Sequence, residues 1–452
     1  MRKAVVRTAV ALLFIVTASQ AQTLDQTISG CNGVAPTRTI QANPSNYRSF
    51  LAGLLPGDRL QLAAGTYTTG LNLWNKRGQP GKCIVIEGPA SGSPALFLGS
   101  SSWNTVSFKN SSYIAVRNLT LDGQGRPGDG VKGEAGSTYN HHILLENLKI
   151  LRHNYTEQTV GINSKSPAWN WVIRRNTITS TGTGIYLGGS SGQHETVGFL
   201  VENNLVYDTL GYNMEIKHQL TRRTSLGMPA SDTTIIRNNV WSKANGSTRS
   251  PYPFPNVLVG HWPLSGYGST DIYQIYGNLF YQNPYESLFQ GEGNVALHDN
   301  LFVNRGGPAA VRFQRHNNVP RRLEVYNNTI VATGTGLTIT SADPAYKQRV
   351  IGNAVFAAGT PIVGGQQTSN VTGSYAAAAT YLNNPGAAIG AGLDLYPRTG
   401  KLTGTAIDTS FLSGLTDWNK EFNKLVRLNT FRGAYSGEGV NPGWQPSLTI
   451  KP

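Results

Sequence analysis

Two cysteines and three methionines are all the sulfur in 452 residues, and only 14% of the chain is charged. So little Met, set against 52 glycines and abundant Asn, Ser and Thr, disfavours a helical bundle and favours short strands joined by tight turns. Acidic residues are scarcer than basic ones, 24 against 38, which leaves a formal net charge of +14. Long apolar runs are missing beyond the N-terminus. No later stretch reaches the roughly 18 to 20 apolar residues of a membrane span, so a helical membrane anchor is excluded from that part of the sequence. A nucleic-acid-binding motif is also missing, and the bases are scattered instead of lying along one helix. The field of a basic chain recruits any polyanion, and this pattern points to an acidic polysaccharide as partner, not to nucleic acid.

Residues 1–21 read as an export signal. Arg2, Lys3 and Arg7 precede the apolar run from Ala9 to Val16, and Ser19-Gln20-Ala21 places small residues where a signal peptidase cuts. A secreted or periplasmic monomer is expected. In an oxidising compartment Cys31 and Cys83 are expected to pair, a closure that stabilises by about 3 to 4 kcal/mol in the chain-entropy model.

What the sequence has in quantity is punctuation by asparagine. The segments VRNLTL, LENLKI, RRNTIT, ENNLVY, RNNVWS, YGNLFY, HDNLFV, YNNTIV and IGNAVF set Asn118, Asn147, Asn176, Asn204, Asn239, Asn278, Asn300, Asn328 and Asn353 before short apolar strands. The intervals run from 22 to 39 residues, the range of solenoids, and most are too short for a propeller blade. Asn suits the bend because it tolerates the left-handed conformation and its amide bonds to its like one rung away. The spacing predicts an all-β, right-handed parallel β-helix. Residues 22–112 form an N-terminal cap and first rungs, 113–365 the core, and 366–452 the closing rungs and cap.

A second strand per rung appears in GVKGE, GINSK, GIYLG, NMEIKH, NVLVGH, AAVRFQRH and GLTIT. Alternation turns Val131, Ile162, Ile185, Met214, Ile216, Val311 and Phe313 inward. Lys132, Glu134, Asn163, Lys165, Tyr186, Glu215, Lys217, Arg312 and Gln314 then share one exterior sheet. The two longest intervals insert QLTRRTSLGMP and STRSPYPFPN beside it, and such insertions usually build a binding face. Trp169, Trp171, Trp241 and Trp262 fit either sugar stacking or core packing.

The entry segment NPSNYRSFLAGLLPGDRLQLAAGTY, followed by IVIEGPA and the Asn-marked rungs, resembles secreted bacterial β-helix proteins related to the chondroitinase B and alginate lyase family. FRGAYSGEGVNPGW resembles the closing rung of many of them. The resemblance implies a pectate-lyase-like solenoid that cleaves a uronic-acid polysaccharide by β-elimination. In that family an outward Glu helps hold calcium while a nearby Lys and Arg act as base and acid. Carried over residue by residue, this marks Glu215 and Lys217, although the full Asn, Glu, Glu calcium set has no counterpart here.

Elimination needs a neutralised sugar carboxylate, a base for the proton on carbon five and an acid for the leaving oxygen on carbon four. Lys217, His218, His261, Arg312 and Arg315 are the catalytic candidates; Lys132, Lys165, Tyr186, Arg222, Arg223 and His316 are candidates for substrate binding. Glu215 and Glu292 are the candidates for calcium. The bland readings are a solvated Glu215–Lys217 pair and a basic surface at Arg312, Arg315 and His316. The competing functions are an epimerase, a glycoside hydrolase on the same fold, and a non-catalytic glycan-binding protein; the adjacent aspartates and Gly-His-Gly segment of pectin hydrolases are absent.

Overall fold

The computed structural model describes residues 24–33, 35–223, 227–245 and 253–452; the predicted signal segment and parts of both insertions lie outside them. The chain winds as a right-handed parallel β-helix with three long parallel sheets. One turn shows the path. Asn140–Glu146 lies in the first sheet, Lys149–Leu151 in the second and Val160–Ser164 in the third, and Ala168–Arg174 returns to the first.

All nine predicted asparagines occupy the corner between the first and second sheets. They do not form one column. Asn118 and Asn147 take the left-handed conformation themselves, at φ 55° and 53°. From Asn176 onward the asparagine sits one residue later, and the left-handed bend passes to Arg175, Asn203, Asn238, Gly277, Asp299, Asn327 and Gly352. The displaced asparagines stack into a ladder through Asn176, Asn204, Asn239, Asn278, Asn300, Asn328 and Asn353. Each Oδ1 from Asn204 onward accepts the backbone N–H and the side-chain amide of the Asn one rung before, as Asn204 does from Asn176 at 3.0 Å on both counts. Asn370 extends the ladder by one more rung. It escaped the repeat pattern because the strand that follows it, Val371–Ser374, has little apolar character.

The inward positions expected of the second repeat strand, Val131, Ile162, Ile185, Met214, Ile216, Val311 and Phe313, all belong to the central core. Trp171, Trp241 and Trp262 join them there. Trp169 packs outside the first sheet with Val197 and Met228, so all four named tryptophans are buried packing residues.

Two of the three sheets are covered on their outer faces. Residues of the N-terminal helix Leu24–Ser29 pack with the Cys31–Cys83 disulfide on Val85, Ala115, Leu144, Val172 and Leu200 of the first sheet. The bridge therefore fastens a lateral strap. The end of the solenoid is closed instead by the helix Tyr47–Leu51, which buries Tyr47 against Tyr67 and Phe97. Beyond the last rung the chain folds back along the second sheet, where Leu382, Leu395, Phe422 and Tyr435 cover Leu279, Leu301, Val331 and Phe356. Ile407 and Leu412 cover Tyr326 and Ile351 of the first sheet. Among the described residues no apolar cluster packs on the outer face of the third sheet.

Candidate active site on the third sheet

Strand register fixes the outward rows of the third sheet. Ser107, Lys132, Asn163, Tyr186, Glu215, Leu258, Gln290 and Arg312 stand side by side in that order. Two residues further along their strands, Lys165 and Lys217 lie on either side of Gly188, which has φ +84° and no side chain. Tyr186, 6% exposed, lies between them. Lys165 Nζ lies 4.4 Å from its ring centroid and Lys217 Nζ 5.4 Å, so two ammonium groups flank one aromatic floor.

The two lysines differ in their other partners. Lys217 Nζ is 2.5 Å from Glu215 Oε1. Among the described residues Lys165 has no carboxylate in contact; burial and the charge of Lys132 lower its pKa from 10.5, with Lys217 adding to the effect. Glu215 is only 2% exposed, and burial raises its pKa against the opposing fields of Lys217, His316 and Lys165. Burial also raises the pKa of Tyr186, helped by Glu215, so its hydroxyl stays protonated across the neutral range.

Beside this notch His218 and His261 have ring centroids 5.6 Å apart and line a groove of about 360 Å³ with Asn317 and Asn318. Burial lowers the pKa of His218 below 6.5, and His261, Lys217 and His316 push the same way. Its ring makes no hydrogen bond among the described residues. His261 is buried and holds Nδ1 2.7 Å from the Trp262 carbonyl.

The remaining sequence candidates separate into groups. Lys132 is tied to Asp129 at 2.8 Å, and Asn163 donates to the same carboxylate oxygen. Arg312 lies three strands from Glu215, paired with Glu286 at 2.8 Å. Arg315 is exposed at the end of that strand and makes no ion pair among the described residues. Arg222 corrects the expectation of a substrate contact: it is 4% exposed and pairs with buried Asp271, so it fastens a loop. Arg223 is exposed but forks onto Glu195, with both contacts at 2.7 Å, outside the notch.

Glu292 does something the sequence did not announce. Its Oε1 accepts the backbone N–H groups of His316, Asn317 and Asn318, folding that loop back over the sheet. His316 is thereby brought close enough to Glu215 and His218 to shift both. The same clasp counts against calcium. The ion needs six to eight oxygens, whereas Glu215 is engaged by Lys217, Glu292 lies two strands away with Oε1 fully used, and no cluster of three acidic, His or Cys ligands occurs among the described residues. The residues present do not fit the ion, and no chemical step is routed through it.

No family model and no curated protein matches this chain. Solved structures do. An alginate lyase from Paenibacillus sp. str. FPU-7 aligns over 75% of this chain and 98% of its own, at 15% identity and a TM-score of 0.30. A mutant of the PL6 family alginate lyase AlyGC aligns over 89% of this chain at 14% identity and a TM-score of 0.44, and this chain spans 59% of it. The Azotobacter vinelandii mannuronan C-5 epimerase AlgE6 A-module aligns over 74% of this chain and 93% of its own, at 18% identity and a TM-score of 0.42. The likeness is one of fold. The disulfide fits an extracellular setting, and no described helix is long and apolar enough to cross a membrane.

Proposed function

We propose that this protein is a secreted polysaccharide lyase that cleaves a uronic-acid polymer by β-elimination. The observation that carries the reading is the notch in which Lys165 and Lys217 flank the ring of Tyr186 on the third sheet, whose outer face carries no apolar cluster among the described residues. Two cations facing a slot without a side chain suit a sugar carboxylate. Binding there neutralises its charge, which makes the proton on carbon five more acidic. His218, largely neutral at pH 7, accepts that proton. The electron pair left on carbon five forms the double bond to carbon four as the bond from carbon four to its oxygen breaks. The Tyr186 hydroxyl gives that oxygen a proton, which it needs because an alkoxide is a stronger base than a phenolate. One chain end gains a hydroxyl and the other an unsaturated uronate.

A hydrolase needs two carboxylates about 5 to 9.5 Å apart, one to donate a proton and one to activate water or attack. Four carboxylates around the notch are each engaged by a neighbouring side chain, and Glu292, beside His218, keeps only Oε2 without a partner, which leaves no free pair among the described residues. Asp129 holds Lys132 and Asn163, Glu134 holds Asn104, Glu215 holds Lys217, and Glu286 holds Arg312. The lyase is tested by incubating the protein with alginate, polygalacturonate, chondroitin sulfate and hyaluronan while following ultraviolet absorbance. Absorbance of the new double bond is expected with at least one polymer. Inverted stereochemistry at carbon five without absorbance would make the protein an epimerase; binding without any change in the polymer would leave a lectin.

A further inference from the structure

Resting on that reading, we infer that the N-terminal end of the third sheet is a non-catalytic subsite where Trp74 stacks on a sugar ring of the same acidic chain held in the notch. Trp74 ends the strand Leu71–Trp74 and is 45% exposed, although Trp is normally among the more buried residues. Its ring is held in place from within. Nε1 donates to Ser107 Oγ at 2.8 Å, Ser107 donates to Glu134 Oε1 at 3.3 Å, and Asn104 donates to that oxygen at 2.7 Å. The polar edge of the indole is thus satisfied inside the protein, and what remains for solvent is aromatic face. Lys109, its register partner, carries an ammonium 5.6 Å from the ring centroid. At the opposite margin of the strand Val106–Lys109, Trp103 is 41% exposed, so two indoles bracket one strand.

Such a mount is suited to pyranose rings, whose C–H faces pack on aromatic rings, with a cation beside it for the carboxylate. Position selects the occupant. Trp74 and the notch belong to the same sheet, and the outward row between them runs through Lys109, Glu134 and Lys165, with Lys132 in the adjacent row. Five strand-to-strand steps separate the Trp74 strand from the Lys217 strand, on the order of 24 Å at the usual spacing. A trisaccharide seated in the notch is too short to reach it. A polymer spans both.

The test uses the full chain in two assays. Affinity electrophoresis in gels containing alginate, polygalacturonate or chondroitin sulfate reads binding alone, and kinetics on polymer and on its trisaccharide read turnover. Trp74→Ala is expected to weaken retardation and raise KM for polymer about five- to tenfold, with kcat and trisaccharide kinetics unchanged. Trp74→Phe, which keeps an aromatic face, is expected to recover most of the loss. Equal binding and equal KM for wild type and Trp74→Ala would overturn the subsite even if the enzyme is a lyase. Loss of retardation in Trp74→Ala, with no cleavage by any variant, would sustain the subsite and remove the lyase. No retardation of wild type in any of the gels would overturn both.

Discussion

The ammonium of Lys217 lies 2.5 Å from Oε1 of Glu215, and the carboxylate of that pair is the buried member. An outward lysine on an exposed strand would be removable at little cost; this one is not. Lys217→Ala is expected to abolish turnover and to lower stability by about 2 kcal/mol at pH 7, because it strands a desolvated carboxylate. The folded pKa of Glu215 is already raised above 4.5, so its ionisation weighs against the fold as pH rises through that raised value. The deficit should therefore shrink in acid and grow toward neutral pH. Denaturation of Lys217→Ala across pH, beside Lys217→Ala/Glu215→Gln with the buried charge removed, measures it. Equal stability of the two at neutral pH would show that the pair has no such role.

The base assignment predicts a pH profile. Lowered below 6.5 by burial and by neighbouring cations, His218 becomes competent as pH rises through a value under 6.5. kcat/KM should rise along an acidic limb below that point and level off at neutral pH. His218→Ala should lose at least about a hundredfold in kcat, the usual weight of a general base. An acidic limb unchanged in a still-active His218→Ala variant would pass the role to Lys165 or His261.

Arg222 and Arg223 are neighbours in sequence with different roles. Removing Arg222 leaves Asp271 buried without its cation, so Arg222→Ala is expected to destabilise by about 3 to 5 kcal/mol. Arg223→Ala strands Glu195, which is also buried, but Arg223 itself is half exposed and water can replace it, so a smaller cost of about 1 to 2 kcal/mol is expected. Thermal melts of the two variants separate them, and similar melting temperatures would refute the distinction.

The asparagine ladder predicts a graded series. Asn278→Ala removes an amide that donates to the Ile236 carbonyl and an oxygen that accepts two bonds from Asn239, all buried. A loss of about 3 kcal/mol is expected. Asn118→Ala, at the left-handed corner before the ladder begins, should cost only about 1 to 2 kcal/mol through backbone strain. Chemical denaturation of both variants checks the order.

The repeat of asparagine before an apolar strand was legible without coordinates, and so were the inward rows of the third sheet, because strand alternation and rung spacing are local rules. Local rules also placed Tyr186, Glu215 and Lys217 on one face. They could not show that Gly188 opens a gap between Lys165 and Lys217, since the two lysines come from strands separated by a whole rung. Nor could they tell Arg222 from Arg223, or the buried tryptophans from exposed Trp74 and Trp103: burial depends on which segments return to cover a surface. The partners of Glu292 and Arg222 were equally hidden. The first binds a loop more than twenty residues away and the second an aspartate nearly fifty away. The sequence alone determined a stack of rungs with a basic, polar face. Tertiary structure decided which faces the chain packs apolar clusters against, because among the described residues the returning N-terminal and C-terminal segments lay such clusters on the first and second sheets and none on the third.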